Sequence, residues 1–188
     1  MRAAALPYDA EIAYLGSAAN CYIDTLIVPD DHIGVYVELE RTDSSDKWIC
    51  GCRNDSGNTR WGIGKTANSY FGWGAYNSGY ALTSGTISLN WLRNHRFYSN
   101  TSNKAITNPL PFTPVYSIYL FTWINAGSVN PNDAGVRISS FKISRDSDVI
   151  LDFIPVRVGT VGYMYDRVSG QLFGNDGTGD FTLGPDVQ

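Results

Sequence analysis

The chain has 188 residues, of which 43% are hydrophobic and 17% charged, and it carries a net charge of −4. That length predicts one domain over residues 1–188, able to bury roughly 70% of its unfolded surface without a disulfide or metal staple. No Lys/Arg run or basic stripe is present, which argues against nucleic acid or an anionic membrane as partner. No apolar stretch reaches the roughly 18 residues that a membrane helix needs. The apolar run Ala3-Ala4-Ala5-Leu6 stops at Pro7, too early for the core of an export signal.

In chain order, the signal is alternation with period two. Ile33 to Glu40 places Val35, Val37 and Leu39 on one face and Glu38 and Glu40 on the other, which predicts a half-buried strand. Trp61-Gly62-Ile63-Gly64-Lys65 alternates large residues with glycines, leaving one face open to another backbone or a ligand. Ile87-Ser88-Leu89-Asn90-Trp91 alternates again, and Phe97-Tyr98 begins a return strand. Val115 to Ile124 is apolar on both faces and follows Pro109, Pro111 and Pro114; it predicts a central strand, the alternative being a buried helix. Val136 to Ile143 and Val149 to Ile154 flank a hairpin at Arg145-Asp146-Ser147-Asp148. Val161 to Tyr165 and Gln171 to Phe173 flank Asp166-Arg167-Val168-Ser169-Gly170, whose Asp and Gly suit a tight turn. About ten such strands, with 12 Tyr and 5 Trp and abundant turn formers, predict an all-β sandwich or barrel.

Three cysteines, Cys21, Cys50 and Cys52, are an odd set. They predict buried thiols, with one bridge from Cys21 as the alternative; Cys50 and Cys52, spaced i, i+2 on a strand, share a face, but such neighbours rarely bridge. Neither His32 nor His95 stands at metal-ligand spacing from a cysteine.

The C-terminal stretch Ile138-Ser139-Ser140-Phe141-Lys142-Ile143, Leu151-Asp152-Phe153-Ile154-Pro155-Val156-Arg157, Gly162-Tyr163-Met164-Tyr165-Asp166 and Ser169-Gly170-Gln171-Leu172-Phe173-Gly174-Asn175 carries a recognisable pattern. It closes with Gly177-Thr178-Gly179-Asp180-Phe181 and Leu183-Gly184-Pro185, and begins with Leu6-Pro7-Tyr8 and Tyr22-Ile23-Asp24-Thr25. This pattern resembles the concanavalin A-like lectin/glucanase (laminin G-like) domains, frequent in surface proteins of gut bacteria and in phage structural and tail proteins. The resemblance implies a two-sheet antiparallel jelly roll that binds glycans or proteins, or serves as a structural module on virions. It covers both ends of the chain, and it is strong for the C-terminal block and weak between about Cys50 and Pro114.

Glucanases of this fold place two Glu around an Asp on one strand face. Glu38-Leu39-Glu40 has two same-face carboxylates without the central Asp, and a solvated strand face explains it better than a retaining glycosidase pair; no enzyme is expected. The segment Tyr70 to Tyr80 offers Tyr70, Trp73, Tyr76 and Tyr80, with Arg53, Asn54 and Trp61 upstream. Aromatic faces stack on the apolar faces of sugar rings while amides and Arg meet their hydroxyls, so these seven residues are the expected ligand contacts, cross-strand packing being the competing reading. Asn175-Asp176-Gly177-Thr178-Gly179-Asp180 lacks the ligand spacing of an EF-hand and reads as a tight turn rather than a Ca²⁺ loop, so no cofactor is expected. Asp24 reads as a carboxylate capping backbone N–H groups, and Asp152 with Arg157 as an ion pair.

These readings converge on a non-catalytic recognition or structural module in a multi-copy or homo-oligomeric assembly. The expected setting is a phage virion surface, with host glycan and other virion proteins as partners. The alternatives are a secreted bacterial carbohydrate-binding module and a purely structural capsid or tail component.

Overall fold

The computed structural model describes residues 5–30, 32–43, 47–54, 60–65, 71–74, 86–92, 96–99, 102–105, 113–129 and 135–187. The described residues form strands and no helix, arranged in two sheets as in a β-sandwich. The larger sheet holds β1 (Ala10–Glu11), β2 (Leu15–Gly16), β4 (Ile33–Arg41), β8 (Thr86–Leu92), β9 (Arg96–Ser99), β10 (Ser102–Ala105), β14 (Val136–Arg145), β15 (Asp148–Val158), β16 (Val161–Asp166), β17 (Leu172–Phe173) and β18 (Thr182–Leu183). The smaller holds β3 (Ile23–Asp24), β5 (Lys47–Arg53), β6 (Arg60–Lys65), β7 (Phe71–Gly74), β11 (Tyr119–Leu120), β12 (Ile124–Asn125) and β13 (Ser128–Val129).

The larger sheet runs β10-β9-β8-β4-β14-β15-β16-β17. Its centre is the pairing of β4 with β14, from Val136↔Arg41 to Arg145↔Ile33. As the alternation requires, Val35, Val37 and Leu39 are buried, as are Ile138, Phe141 and Ile143 opposite them. The β14–β15 hairpin turns at Asp146, whose φ of 57° is the left-handed conformation that Asp tolerates well. The two strands pair over Phe141–Arg145 and Asp148–Phe153. Beyond that stretch the N-terminal segment takes their place as partner, with β1 on Arg157 and Val156 and β2 on Arg137 and Ile138. The other edge of the same segment pairs with the C-terminal strand, Leu183↔Leu15 and Val187 N–H to Glu11 C=O at 2.9 Å.

The core lies between the sheets. Phe141, Phe153, Met164 and Leu15 of the larger sheet meet Ile23, Ile49, Cys50, Trp61 and Leu120 of the smaller. Each such side chain contributes about 1.5–3 kcal/mol by leaving water. Cys21, Cys50 and Cys52 are buried thiols outside any disulfide; burial pushes the thiols of Cys50 and Cys52 up to about 12.

Two expectations need correction. Val115 to Ile124 is not one central strand but two short ones, β11 and β12, broken at Phe121 with φ of 67°. Leu120 and Phe121 are both fully buried, and consecutive residues of a regular strand point to opposite faces; leaving the pleat lets both enter the core. The chain then doubles back, so β11 is antiparallel to β5 while β12 is parallel to it. Asp152 and Arg157 do not pair with each other. An odd spacing on one strand separates their faces, and Asp152 meets Arg167 at 2.7 Å and Lys142 at 3.4 Å while Arg157 meets Asp186 at 2.7 Å.

The turn after β16 is organised by one carboxylate. Asp166 is 2% exposed and accepts the N–H groups of Asp152 at 2.8 Å, Val168 at 3.1 Å and Ser169 at 3.0 Å. Burial pushes its pKa up, but these donors outweigh burial and hold it below the ordinary carboxylate value. A lowered folded-state pKa means that the stabilisation is present above the unfolded value near 4 and is lost as pH falls through the folded one. Asp166→Asn is therefore expected to cost about 1–3 kcal/mol at pH 7 and to flatten the loss of stability below pH 4. Urea unfolding at pH 7 and pH 3 checks this; an equal deficit at both values would sink the assignment.

Candidate functional site

The outward face of the smaller sheet follows from its register. Asp24 pairs with Tyr119, Tyr119 with Gly51, Gly51 with Gly62 and Gly62 with Gly72. Cross-strand partners share a face. The adjacent row, Ile23, Leu120, Cys50 and Ile63, is buried in the core, so the Asp24-to-Gly72 row lies on the other side. A carboxylate and one aromatic residue, Asp24 and Tyr119, begin this row, and then three glycines in succession give it a floor without side chains.

An indole occupies the cleared floor. A methyl placed on Gly62 would lie 3.0 Å from the Trp48 ring and 2.6 Å from the carbonyl oxygen of Cys50. Trp48 reaches this position because β5 carries a bulge between Trp48 and Cys50, which takes Ile49 into the core. The Trp48 ring stacks on Trp123, with centroids 4.9 Å apart and planes 21° from parallel. The guanidinium of Arg53 lies over Trp123 at 5.4 Å, a cation–π arrangement.

At the other end of the row is an open cleft of about 440 Å³, lined by Tyr22, Asp24, Leu26, Tyr119, Phe173 and Asp176 among others. The Tyr22 and Tyr119 rings stand 5.8 Å apart and 38° from parallel. Asp24 accepts the Leu26 N–H at 2.8 Å, the backbone cap that its sequence context predicts. Burial, then the charge of Asp24 and the hydrogen bond to it, push the Tyr119 hydroxyl up to about 12, so at neutral pH it is a donor. The 175–177 turn reaches β3 through side chains: Asn175 Oδ1 accepts the Tyr22 N–H at 3.0 Å and Asp176 Oδ2 the Asp24 N–H at 2.8 Å. Asp176 N–H in turn donates to the Tyr22 carbonyl at 2.9 Å. Leu26, at φ of 61°, is 73% exposed at the rim. A branched side chain held left-handed costs about 1–2 kcal/mol, and here it buries little in return.

The seven expected contact residues fare differently. Arg53 is on this face, over Trp123. Asn54 is beside it, but its amide is committed to the loop, donating to Thr113 C=O at 2.7 Å and accepting the Val115 N–H at 3.0 Å. Trp61 belongs to the opposite face: it pairs with Cys52, is 1% exposed and is a core residue. Trp73 has its backbone in β7, in register with Trp61. Tyr70, Tyr76 and Tyr80 lie outside the described residues. Tyr22, Trp48, Tyr119 and Trp123 were not among the expected contacts. Their signal was the alternation of aromatic and aliphatic residues, Tyr22-Ile23-Asp24 and Tyr119-Leu120.

Glu38 and Glu40 lie on the outer face of the larger sheet, where Glu38 takes the Tyr36 hydroxyl and Glu40 meets Arg137 at 3.2 Å. No cluster of three or more His, Cys, Asp or Glu suited to a metal ion occurs among the described residues. Comparison with protein-family models, with curated proteins and with solved structures gave no match.

The glycine floor makes a specific demand. Gly62→Ala is expected to cost about 1–3 kcal/mol, as forced overpacking does, and to perturb the tryptophan fluorescence through the Trp48–Trp123 stack. Chemical unfolding read by fluorescence checks it; a variant within about 0.5 kcal/mol of the parent, with an unchanged spectrum, would show that Trp48 does not rest on Gly62.

Proposed function

We propose that the chain is a non-catalytic recognition module on a jelly-roll sandwich, which binds glycans through the outer face of its smaller sheet. The observation that carries this reading is the set of four aromatic side chains there, Tyr22, Tyr119, Trp48 and Trp123, beside Arg53, Asp24 and Asp176. Rings offer stacking surfaces to the apolar faces of sugars, and the charged groups offer hydrogen bonds to hydroxyls. A shallow, open site of this kind binds weakly by itself, and display in many copies multiplies its affinity. A phage particle that attaches to a host surface provides such display, as does a bacterial surface protein.

A glycan-array screen tests the proposal, with Tyr119→Phe and Trp123→Ala alongside the parent. The parent is expected to bind a defined glycan class. Loss of the Trp123 ring is expected to weaken binding roughly tenfold, equivalent to about 1.4 kcal/mol, with the variant still folded. Binding unaffected by both substitutions would remove the site from this face.

A second reading is favoured by a different observation. Leu26, Val28 and Val115 are 73%, 43% and 63% exposed. The segments that carry them run side by side, since Ile118 N–H donates to Ile27 C=O at 2.9 Å and Thr25 N–H to Ile118 C=O at 3.0 Å. An apolar rim of this kind suits a subunit interface in a purely structural assembly. In that case Leu26→Asp would lower the oligomeric state measured by light scattering, and the array would be blank. A glycan-binding chain would keep its mass in the same variant.

A further inference from the structure

Resting on the recognition reading, we propose that the cleft between Tyr22 and Phe173 takes an organic ammonium group. The ligand would be a protonated amino sugar or a choline-type substituent rather than a neutral or acidic sugar.

The charge pattern is the starting point. Along the described surface, Asp30, Glu40, Asp152 and Asp186 each face an arginine, at 3.1, 3.2, 2.7 and 2.7 Å. Asp24 and Asp176 do not: their hydrogen-bond partners among the described residues are N–H groups and the Tyr119 hydroxyl, and no Lys or Arg among the described residues lines the cleft. Backbone donors position these carboxylates without neutralising them. Two negative charges therefore open into one cleft with no counter-charge among the described residues that line it. An acidic sugar entering it would meet like-charge repulsion.

The cleft also has the walls that a cation of this type requires. Tyr22 and Tyr119 meet at 38° with centroids 5.8 Å apart, so their faces converge instead of stacking flat. The face of an aromatic ring is the negative pole of its quadrupole and attracts an ammonium group, more strongly as water is excluded. Phe173 and the protruding Leu26 supply apolar contact for the methylene or methyl groups that surround an organic nitrogen. A volume of about 440 Å³ falls within the range of small-ligand sites, roughly 300–1,000 Å³. The raised Tyr119 hydroxyl, for which burial is the largest cause and Asp24, Tyr22 and Asp176 follow, is consistent with a negative field in the cleft.

The test is titration of the whole chain with glucosamine hydrochloride, choline chloride and glucose, followed by the NMR signals of the tyrosine rings. The two cationic probes are expected to shift the Tyr22 and Tyr119 signals and to bind at least roughly tenfold more tightly than glucose, a difference of about 1.4 kcal/mol. Added salt is expected to weaken both. Raising the pH until the amine deprotonates is expected to release glucosamine and leave choline bound, which separates the two sources of ammonium. Asp24→Asn with Asp176→Asn retains the oxygens that accept the Leu26 and Asp24 N–H groups, so the double variant is expected to fold, by thermal unfolding, and to lose the preference for cations. Equal affinity for glucose and glucosamine, a tighter fit for an acidic sugar such as glucuronate, or an undiminished preference in the folded double variant would overturn the assignment. A parent that binds neutral glycans on the array, and loses them on Tyr119→Phe, would overturn the ammonium assignment while the recognition reading stands. Silence of every probe and of the array would remove both.

Discussion

The smaller sheet depends on two residues, Tyr119 and Leu120. This strand is hydrogen-bonded to β3 on one side and to β5 on the other, and without it those two strands have no common partner among the described residues. The pleat decides the rest. Leu120 points inward and joins Ile23, Cys50 and Ile63 in the core, while Tyr119 points outward between Asp24 and Gly51. Burial of one residue therefore fixes the placement of the other, and the positive φ at Phe121 ends the strand so that Phe121 enters the core beside Leu120.

The same economy explains the tryptophan stack. An indole lies flat on a sheet where the strands beneath carry no Cβ, and the succession Gly51, Gly62, Gly72 clears that space. The bulge in β5 then takes Ile49 into the core while Trp48 lies over Gly62. Packing and candidate recognition surface are two sides of one set of strands, since the apolar partners on the inner face set the register that gathers the rings on the outer face.

The sequence reads clearly where periodicity and turn chemistry agree. Val35, Val37 and Leu39 alternate with outward residues and form the predicted strand, and Asp166 to Gly170 forms the predicted turn, with the carboxylate of Asp166 holding three N–H groups. The glycines at 62 and 64 were legible as an open face, although the occupant of that face turned out to be Trp48 from the same sheet. What escaped was long-range. Val115 to Ile124 looks apolar throughout because period two cannot show that a strand stops at Phe121 and doubles back. Trp61 looked available because an isolated Trp-Gly alternation does not say which side faces the other sheet. Tyr22 and Tyr119 are 97 positions apart in the chain, so no local pattern joins them; β3–β11 pairing does. The partners of Asp152 and Arg157 likewise come from elsewhere, Arg167 and Asp186.

The way the 175–177 turn meets β3 has a consequence for self-association. β3 ends its sheet, and an edge strand presents N–H and C=O groups that invite a strand from another molecule. Here Asn175 and Asp176 take the Tyr22 and Asp24 N–H groups, and the Asp176 N–H takes the Tyr22 carbonyl. A short turn thus stands in for the missing neighbour and leaves no ladder for an intruding chain to extend. Asp176 closes the edge with one carboxylate oxygen while it lines the cleft, so its replacement by a residue without an acceptor would alter the ligand site and unseal the sheet together. A change of ligand preference made at this position is therefore coupled to self-association, and only a side chain that still accepts the Asp24 N–H keeps the edge sealed.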